Sequence, residues 1–464
     1  MTSDEKTELG IPSDLFPLPL TSVERFHLLD QTVKFPNTVC SRLEFDGVID
    51  PVLAKQTTLV ALHRHPILGS VIEHQNGRLL WRFAPESRLP ERWNLPWSES
   101  PGFPKPDSSG IQFVSRSSDA NSVLWIQSNH VLCDGVGATS FIGDWIKIYH
   151  NLYVGNSATH KLRKLDYGLL KTRNEIGLLK KKSRGKLWKQ PVGLYGTAKF
   201  LLRKVAEMNP DGNAERDAER NADWNYEEQP SLISCWLEQE TCNSLSSVAQ
   251  DKNVTVNTYM LAQFYLHLAD WLQQHCPEQA AKWLRIIHPF NLRDYSHRRM
   301  PATNRVAIVQ IDRRQQDLAD FDRSLQGLDR EIKIINDWEL GKLFLLAIRS
   351  MSVIPGMLKR SAQNKKCRGT CVFTSLPETL SRSGLPVEQH SDSSEARLQV
   401  GNLKLDSIDY IGPVRHGTPV NLIVLKHLGR LRFSFHYDPR ILSRAAADEF
   451  LSTYADRLRS GVSK

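Results

Sequence analysis

The stretch SVLWIQSNHVLCDGVGATSFIGDWIKIYHNL, from Ser122 to Leu152, changes its hydrophobic period once, and that change constrains the chain more than any other feature. Val123, Trp125 and Gln127 alternate with Leu124, Ile126 and Ser128, the period-2 pattern of a largely buried strand. Phe141, Ile142, Trp145, Ile146 and Tyr149 then recur at three- and four-residue spacing, one apolar face of a helix. His130 falls just past the expected strand end, with Asp134 four residues on and Gly135 and Gly137 leading into the helix. Such glycines allow backbone angles, or a close backbone approach, that a Cβ resists. A His-x-x-x-Asp-Gly triplet arises by chance in roughly a few per cent of chains this long, and a lone histidine is more often structural. The strand-to-helix junction weighs against chance, because loops held by rigid elements are where catalytic groups sit.

The flanking sequence supplies a scaffold of suitable size. At 464 residues the chain can build two core-bearing domains. Thr21-Ser22-Val23-Glu24 is a capping box opening a helix through Leu29. A strand is expected over Thr38–Phe45, then a helix from Asp50-Pro51 to about His63. Asn76-Gly77 marks a hairpin between Ile67–Ile72 and Arg78–Phe83. Residues 84–110 read as a long surface connection, and Ile111–Val114 with Ser122–Ser128 completes a first sheet. Further on, Leu232–Leu237, Leu284–His288, Arg305–Ile311 and Cys371–Leu376 read as strands. Thr255 or Asn257 opens an amphipathic helix. Leu340–Leu358 is helical and broken at Pro355-Gly356. Val420–Lys426 and Arg430–Tyr437 form a hairpin, and the chain closes on a helix carrying Phe450, Leu451, Tyr454 and Leu458.

Charge is unevenly distributed. Residues 161–204 hold fourteen Lys or Arg against Asp166 and Glu175, a local balance of +12 in a chain whose total is +9. The acidic, turn-rich segment Asn209–Gln229 follows. Together they read as an inter-lobe linker, which sets the expected divisions at 1–160, 161–230 and 231–464. Basic residues interspersed with Leu178, Leu179 and Trp188 suit an anionic membrane surface or phosphate groups, against the plainer reading of a solvated helix face. No nucleic-acid recognition motif accompanies them. Seven cysteines without a C-x-x-C pair make neither a disulfide framework nor a zinc signature, so no metal is expected. The start is polar, and no run of 18 apolar residues appears. The expected setting is a reducing cytoplasm, with peripheral membrane contact through the basic stretch.

The motif Asn129-His130-Val131-Leu132-Cys133-Asp134-Gly135 resembles the active-site motif of the coenzyme A-dependent acyltransferase superfamily with the chloramphenicol acetyltransferase fold. That superfamily includes condensation domains and bacterial wax ester synthase/diacylglycerol acyltransferases. PLTSVERFHLLD, HRHPILG, Pro289–Arg293 and Thr303-Asn304-Arg305 follow the family's order of elements, though only the motif is specific. The resemblance implies an α/β fold of two lobes, each a mixed sheet with helices, with His130 in a channel between them. It implies acyl transfer from an acyl-CoA or acyl carrier thioester to a hydroxyl or amine, with His130 as general base and no bound cofactor. A carrier protein is then a partner, and nucleic acid is not. Asp134 is implied to hold the motif loop by pairing with an arginine, Arg293 first and Arg305 second, and Gly135 to give the turn. Asn129 stands where many relatives carry a first histidine, a departure bearing on acceptor preference. Thr374 and Ser375 on the channel strand are candidates for oxyanion stabilisation. Two other readings compete: a silent relative that binds an acyl thioester or a partner, and a thioester hydrolase using Cys133 as nucleophile.

Overall fold

The computed structural model describes residues 11–32, 34–88, 92–98, 110–155, 160–175, 202–209, 231–364, 366–378, 380, 383–389 and 396–461. Most of the basic stretch, including Lys180, Lys181, Lys182 and Arg184, and nearly all of the acidic segment lie outside the described residues.

The first half runs β1 (Leu18–Pro19), α1 (Ser22–Leu29), β2 (Thr38–Asp46), α2 (Pro51–Arg64), β3 (Ser70–Gln75), β4 (Arg78–Phe83), β5 (Arg92–Leu95), β6 (Ile111–Ser117), β7 (Asn121–Asn129) and α3 (Gly135–Val154). Local chemistry explains the helix starts. The Thr21 hydroxyl accepts from the Glu24 amide, and the Glu24 carboxylate accepts from the Thr21 amide. Asp50 caps α2 ahead of Pro51. Glu24 does more than cap. Fully buried, it also takes the Arg173 guanidinium at 2.8 and 2.9 Å and the Trp81 indole at 3.1 Å. One of the basic residues of 161–204 is thus a buried ion-pair partner.

The second half runs β8 (Leu232–Leu237), α4 (Gln239–Asp251), α5 (Val256–His275), β9 (Leu284–Asn291), β10 (Val306–Arg313), α6 (Phe321–Asp337), α7 (Gly341–Val353), α8 (Met357–Ala362), β11 (Cys371–Leu376), β12 (Val387–Gln389), β13 (Ala396–Val400), β14 (Leu403–Ile411), β15 (Val420–His427), β16 (Arg430–Tyr437) and α9 (Arg444–Ser460). Its sheet has the order β10-β9-β11-β15-β16-β8, with β11 parallel to both neighbours. Leu431, Phe433, Phe435 and Tyr437 turn one face of β16 onto the core formed with α5 and α9.

Strand pairing departs from linear order. The first sheet has the order β12-β13-β14-β2-β7-β6-β5, so three strands of the second half join it, with β14 paired to β2. The expected division at 231–464 follows the chain, whereas hydrogen bonding joins strands far apart in it. The sequence pattern hides β14 because its register shifts between Leu405 and Ser407. The bulge moves the buried apolar positions from Leu403 and Leu405 to Ile408 and Tyr410, which breaks the period-2 signal. The Asn76-Gly77 hairpin likewise leaves the main sheet and joins β1 in a separate one. The connection 84–110 contains β5, which pairs parallel to β6. Leu340–Leu358 is two helices, interrupted at Gly356 with φ +72°.

A buried polar cluster ties the two sheets. Asp409 on β14 is fully buried and accepts from Arg432 on β16 at 2.8 and 3.0 Å, from Ser434 at 2.9 Å and from Arg42 on β2 at 3.3 Å. Unpaired, that carboxylate would cost several kcal/mol. Among the described residues no helix is long and apolar enough to cross a membrane.

Buried histidines give the fold an acid limit. Burial pushes His267 down to about 3 and His288, His427 and His436 down to about 4. The unfolded chain accepts protons at these sites near pH ~6.5. The folded state refuses them until the pH falls well below that, so stability falls as pH drops through this window. Each histidine contributes a slope of up to ~1.4 kcal/mol per pH unit. Guanidinium midpoints measured at pH 7.5, 6 and 5 are expected to fall in that order; a flat series would contradict the assignment.

Candidate active site

The site begins at the end of β7. That strand is buried on both faces: Leu124 and Ile126 join the main core of the first lobe, while Val123 and Trp125 join a smaller cluster with Val114 and Ile411. Past Asn129 the chain turns through His130–Leu132. The His130 amide donates to the Asn37 carbonyl at 2.7 Å, and the Leu132 amide to the Asn129 carbonyl at 3.0 Å. α3 then starts at Gly135 with Asp134 as its N-cap, where Oδ1 accepts from the Gly137 amide at 2.8 Å.

The other oxygen of Asp134 reaches the second lobe. Oδ2 accepts from Arg293 Nη1 at 2.8 Å and from the Arg305 backbone amide at 2.6 Å. Arg293 Nη2 also donates to the Thr303 carbonyl at 2.6 Å. The two arginines named from the sequence therefore meet Asp134 differently, one by its guanidinium and one by its main chain. The Arg305 side chain turns away to the Arg173 and Glu175 carbonyls. Neither carboxylate oxygen of Asp134 is bonded to His130, so a charge-relay geometry is not formed.

Gly135 is the first residue of α3, with no positive φ, and the turn at His130–Leu132 lies just ahead of it. Its need is space: a Cβ there would lie 2.7 Å from Leu376 Cδ2. At Gly137 a Cβ would lie 3.1 and 3.2 Å from backbone atoms of Thr303. The helix start and the segment before β10 thus pack main chain against main chain.

His130 is half-buried and lines a cavity of about 1440 Å³ of empty space, open mouths included, at the seam of the lobes. Val39 and Val136 from the first lobe and Ile287, Ile308, Val372 and Ile423 from the second make its walls largely apolar. Thr374 and Ser375 also line it, from β11. Burial holds the His130 imidazole below its ordinary pKa, against opposing pulls that include the Asp134 charge and the Asn304 side chain. Asn304 Nδ2 donates to the His130 and Val131 carbonyls at 2.7 and 2.9 Å. Its Oδ1 and His130 Nδ1 are both buried without a hydrogen-bond partner among the described residues.

One neighbour of His130 was not read from the sequence. His27 on α1 stacks on His130, ring centroids 4.4 Å apart and planes 5° apart. Asn37 donates to its Nδ1 at 3.2 Å. Burial holds His27 well below its usual value, with the charges of His130 and Arg415 adding to the effect. The only available signal was HLL inside the capping-box helix, which carries no spacing that ties it to a residue a hundred positions away.

Asn129 is buried rather than aimed into the cavity. Its Oδ1 accepts from the Val131 amide at 3.0 Å and its Nδ2 donates to Gln31 at 2.6 Å, so it shapes the turn. Cys133 is 1% exposed, packs in the first-lobe core, and burial pushes its thiol far up. A thiol so placed is a poor nucleophile, which weighs against the hydrolase reading built on it. Among the described residues no group of three or more His, Cys, Asp or Glu side chains is placed to hold a metal.

No protein-family model matches the sequence, and no curated protein matches it. Solved structures do match along nearly the whole chain. The starter condensation domain of rhizomide synthetase RzmA, solved as a mutant with C8-CoA and Leu-SNAC, is 12% identical with a TM-score of 0.63, over 97% of this chain and 95% of that one. The epimerization domain from the third module of tyrocidine synthetase B is 12% identical with a TM-score of 0.64, over 96% and 97%. The SgcC5 protein from Streptomyces globisporus is 13% identical with a TM-score of 0.59, over 96% and 98%. These likenesses show the fold, two chloramphenicol acetyltransferase-like lobes in a mixed α/β architecture.

The Asp134–Arg293 pair is buried enough to be sensitive, its side chains 2% and 12% exposed. Asp134→Asn or Arg293→Ala alone is expected to destabilise the protein by about 3–5 kcal/mol, the usual cost of stranding one partner. The double variant should be little worse than either. Gly137→Ala should cost more than Gly135→Ala, because Thr303 backbone cannot move aside as the Leu376 side chain can. Denaturant unfolding of the five variants decides both points; additive losses would dissolve the pair.

Proposed function

We propose that the protein is an acyltransferase. It moves an acyl group, rather than an aminoacyl group, from a coenzyme A or carrier-protein thioester to a hydroxyl or amine, with His130 as general base. The observation that carries this reading is His130 itself, a histidine held below its usual pKa in an apolar cavity at the seam of the two lobes. The RzmA structure, solved in complex with C8-CoA, supports a thioester donor for a cavity of this kind.

The chemistry asks little of the enzyme. A thioester already carries a good leaving group, its thiol pKa being ~8.5, so no enzyme nucleophile is required. The acceptor must lose a proton as it attacks, and a neutral imidazole takes it. In this reading Asn304 Oδ1 faces His130 Nδ1 and favours the tautomer that carries hydrogen there, leaving the Nε2 lone pair for the acceptor. Asp134 acts at one remove by holding the turn. The Thr374 hydroxyl or the adjacent Ser375 meets the developing oxyanion. Peripheral membrane contact through 161–204 and a cytoplasmic setting remain part of the proposal.

His130→Ala is expected to lower transfer by about 10²–10⁴-fold with unchanged folding, read by mass spectrometry of products from a panel of acyl-CoA donors incubated with cell extract. Full activity in that variant would remove the mechanism. Acyl-CoA binding without turnover in the wild type would favour the silent-binder reading instead.

The pH profile gives an independent check. A base held below its ordinary value stays neutral as pH falls through ~6.5, so the acid limb should lie below that point. Asn304→Asp places a carboxylate beside the ring and should move the limb upward. A limb that does not move would show that Asn304 does not face the imidazole.

A further inference from the structure

A second polar feature lies in the wall of the same cavity, one ring beyond His130. α1 ends at Asp30, three residues after His27. Asp30 pairs with Arg415, in the loop between β14 and β15, and with Arg368, just before β11, at 3.4 Å. Both arginines line the cavity. Their side chains keep 21% and 27% of their surface open, whereas Asp30 keeps 3%. The acid is covered and the two cations are presented.

Two positive charges share one negative charge there. Among the described residues no other Asp or Glu pairs with either guanidinium. Arg368 spends Nη2 on the Ser361 and Ala362 carbonyls, at 2.6 and 2.7 Å, and lies over the Phe26 ring at 5.7 Å. Those contacts fix its position without offsetting its charge. Burial holds the neighbouring His27 well below its usual pKa, with the charges of His130 and Arg415 adding to the effect, and burial pulls the pKa of Arg415 down to about 10. A net charge of this kind beside apolar walls is expensive unless something neutralises it.

We propose that the cavity takes a substrate bearing a carboxylate, seated on Arg415 and Arg368. Planar guanidiniums match a carboxylate by paired, charge-assisted hydrogen bonds, which a phenyl or alkyl wall cannot offer. One bound carboxylate brings the cluster to neutrality. Arg415, Arg368 and His130 line one cavity, so the carboxylate is held in the same chamber as the base. That the carboxylate belongs to a reacting substrate rests on the acyltransferase reading. The binding itself does not.

Calorimetric titration of the full chain with hexanoate and with 1-hexanol separates charge from apolar burial, and involves neither thioester nor turnover. Hexanoate is expected to bind at least tenfold more tightly. Arg415→Gln, or Arg368→Gln should the first variant fail to fold, should erase that preference. Asp30→Asn should strengthen it by removing the competing acid. Equal binding of the two probes, no binding of hexanoate at millimolar concentration, or a preference untouched by either arginine variant would overturn the proposal, whatever His130→Ala does to transfer. Repeating the titration with 6-hydroxyhexanoate and with the coenzyme A monothioester of adipate tells acceptor from acyl chain. Arginine-dependent binding of either one supports the proposal and assigns the carboxylate; dependence with neither overturns it.

Discussion

The site hangs on one buried carboxylate. Asp134 begins α3 with one oxygen and joins the second lobe with the other, through the Arg293 guanidinium and the Arg305 amide. A carboxylate removed from water must have its charge met and its lone pairs occupied, or it destabilises the fold by several kcal/mol. Satisfying Asp134 therefore fixes three things together: the pitch of the turn carrying His130, the start of the helix behind it, and the approach of the opposite lobe. Gly137 permits the last of these, since a Cβ there would press on the Thr303 backbone.

The same logic of buried charge recurs where the lobes meet. Glu24 holds Arg173 and Trp81 at the start of the inter-lobe segment, and Asp409 gathers arginines from β2 and β16. In each case an acid is enclosed and its donors come from distant parts of the chain. Asp30 differs. It is enclosed like the others, yet its two arginines face the cavity. A structural ion cluster tends toward neutrality, and this one carries an excess positive charge in the cavity wall.

The environment of His130 follows from packing rather than from a partner. An imidazole between apolar walls, stacked on a second neutral imidazole, loses the water that would stabilise its cation. Its pKa falls, and the ring stays neutral to lower pH than a solvated imidazole would. The second ring is tied to the same turn, because His27 is anchored through Asn37, whose carbonyl in turn takes the His130 amide.

Most local structure was legible in the sequence. The capping box at Thr21, the Asp50-Pro51 start, the two periods around His130 and the alternating aromatics of β16 each act within a few residues, where side-chain chemistry decides backbone conformation. The pairing of Asp134 with Arg293 was named only through resemblance to a family, since no local pattern links positions 159 residues apart. Tertiary structure alone decided the rest. It carried β14 across to β2, through a bulge that scrambles the period-2 signal. It laid His27 on His130, turned Cys133 into the core and set Arg368 and Arg415 in the cavity wall. Local sequence sets period and caps because those depend on neighbours along the chain. Which buried charge meets which partner depends on the closure of the whole fold, and that is not written within any one window.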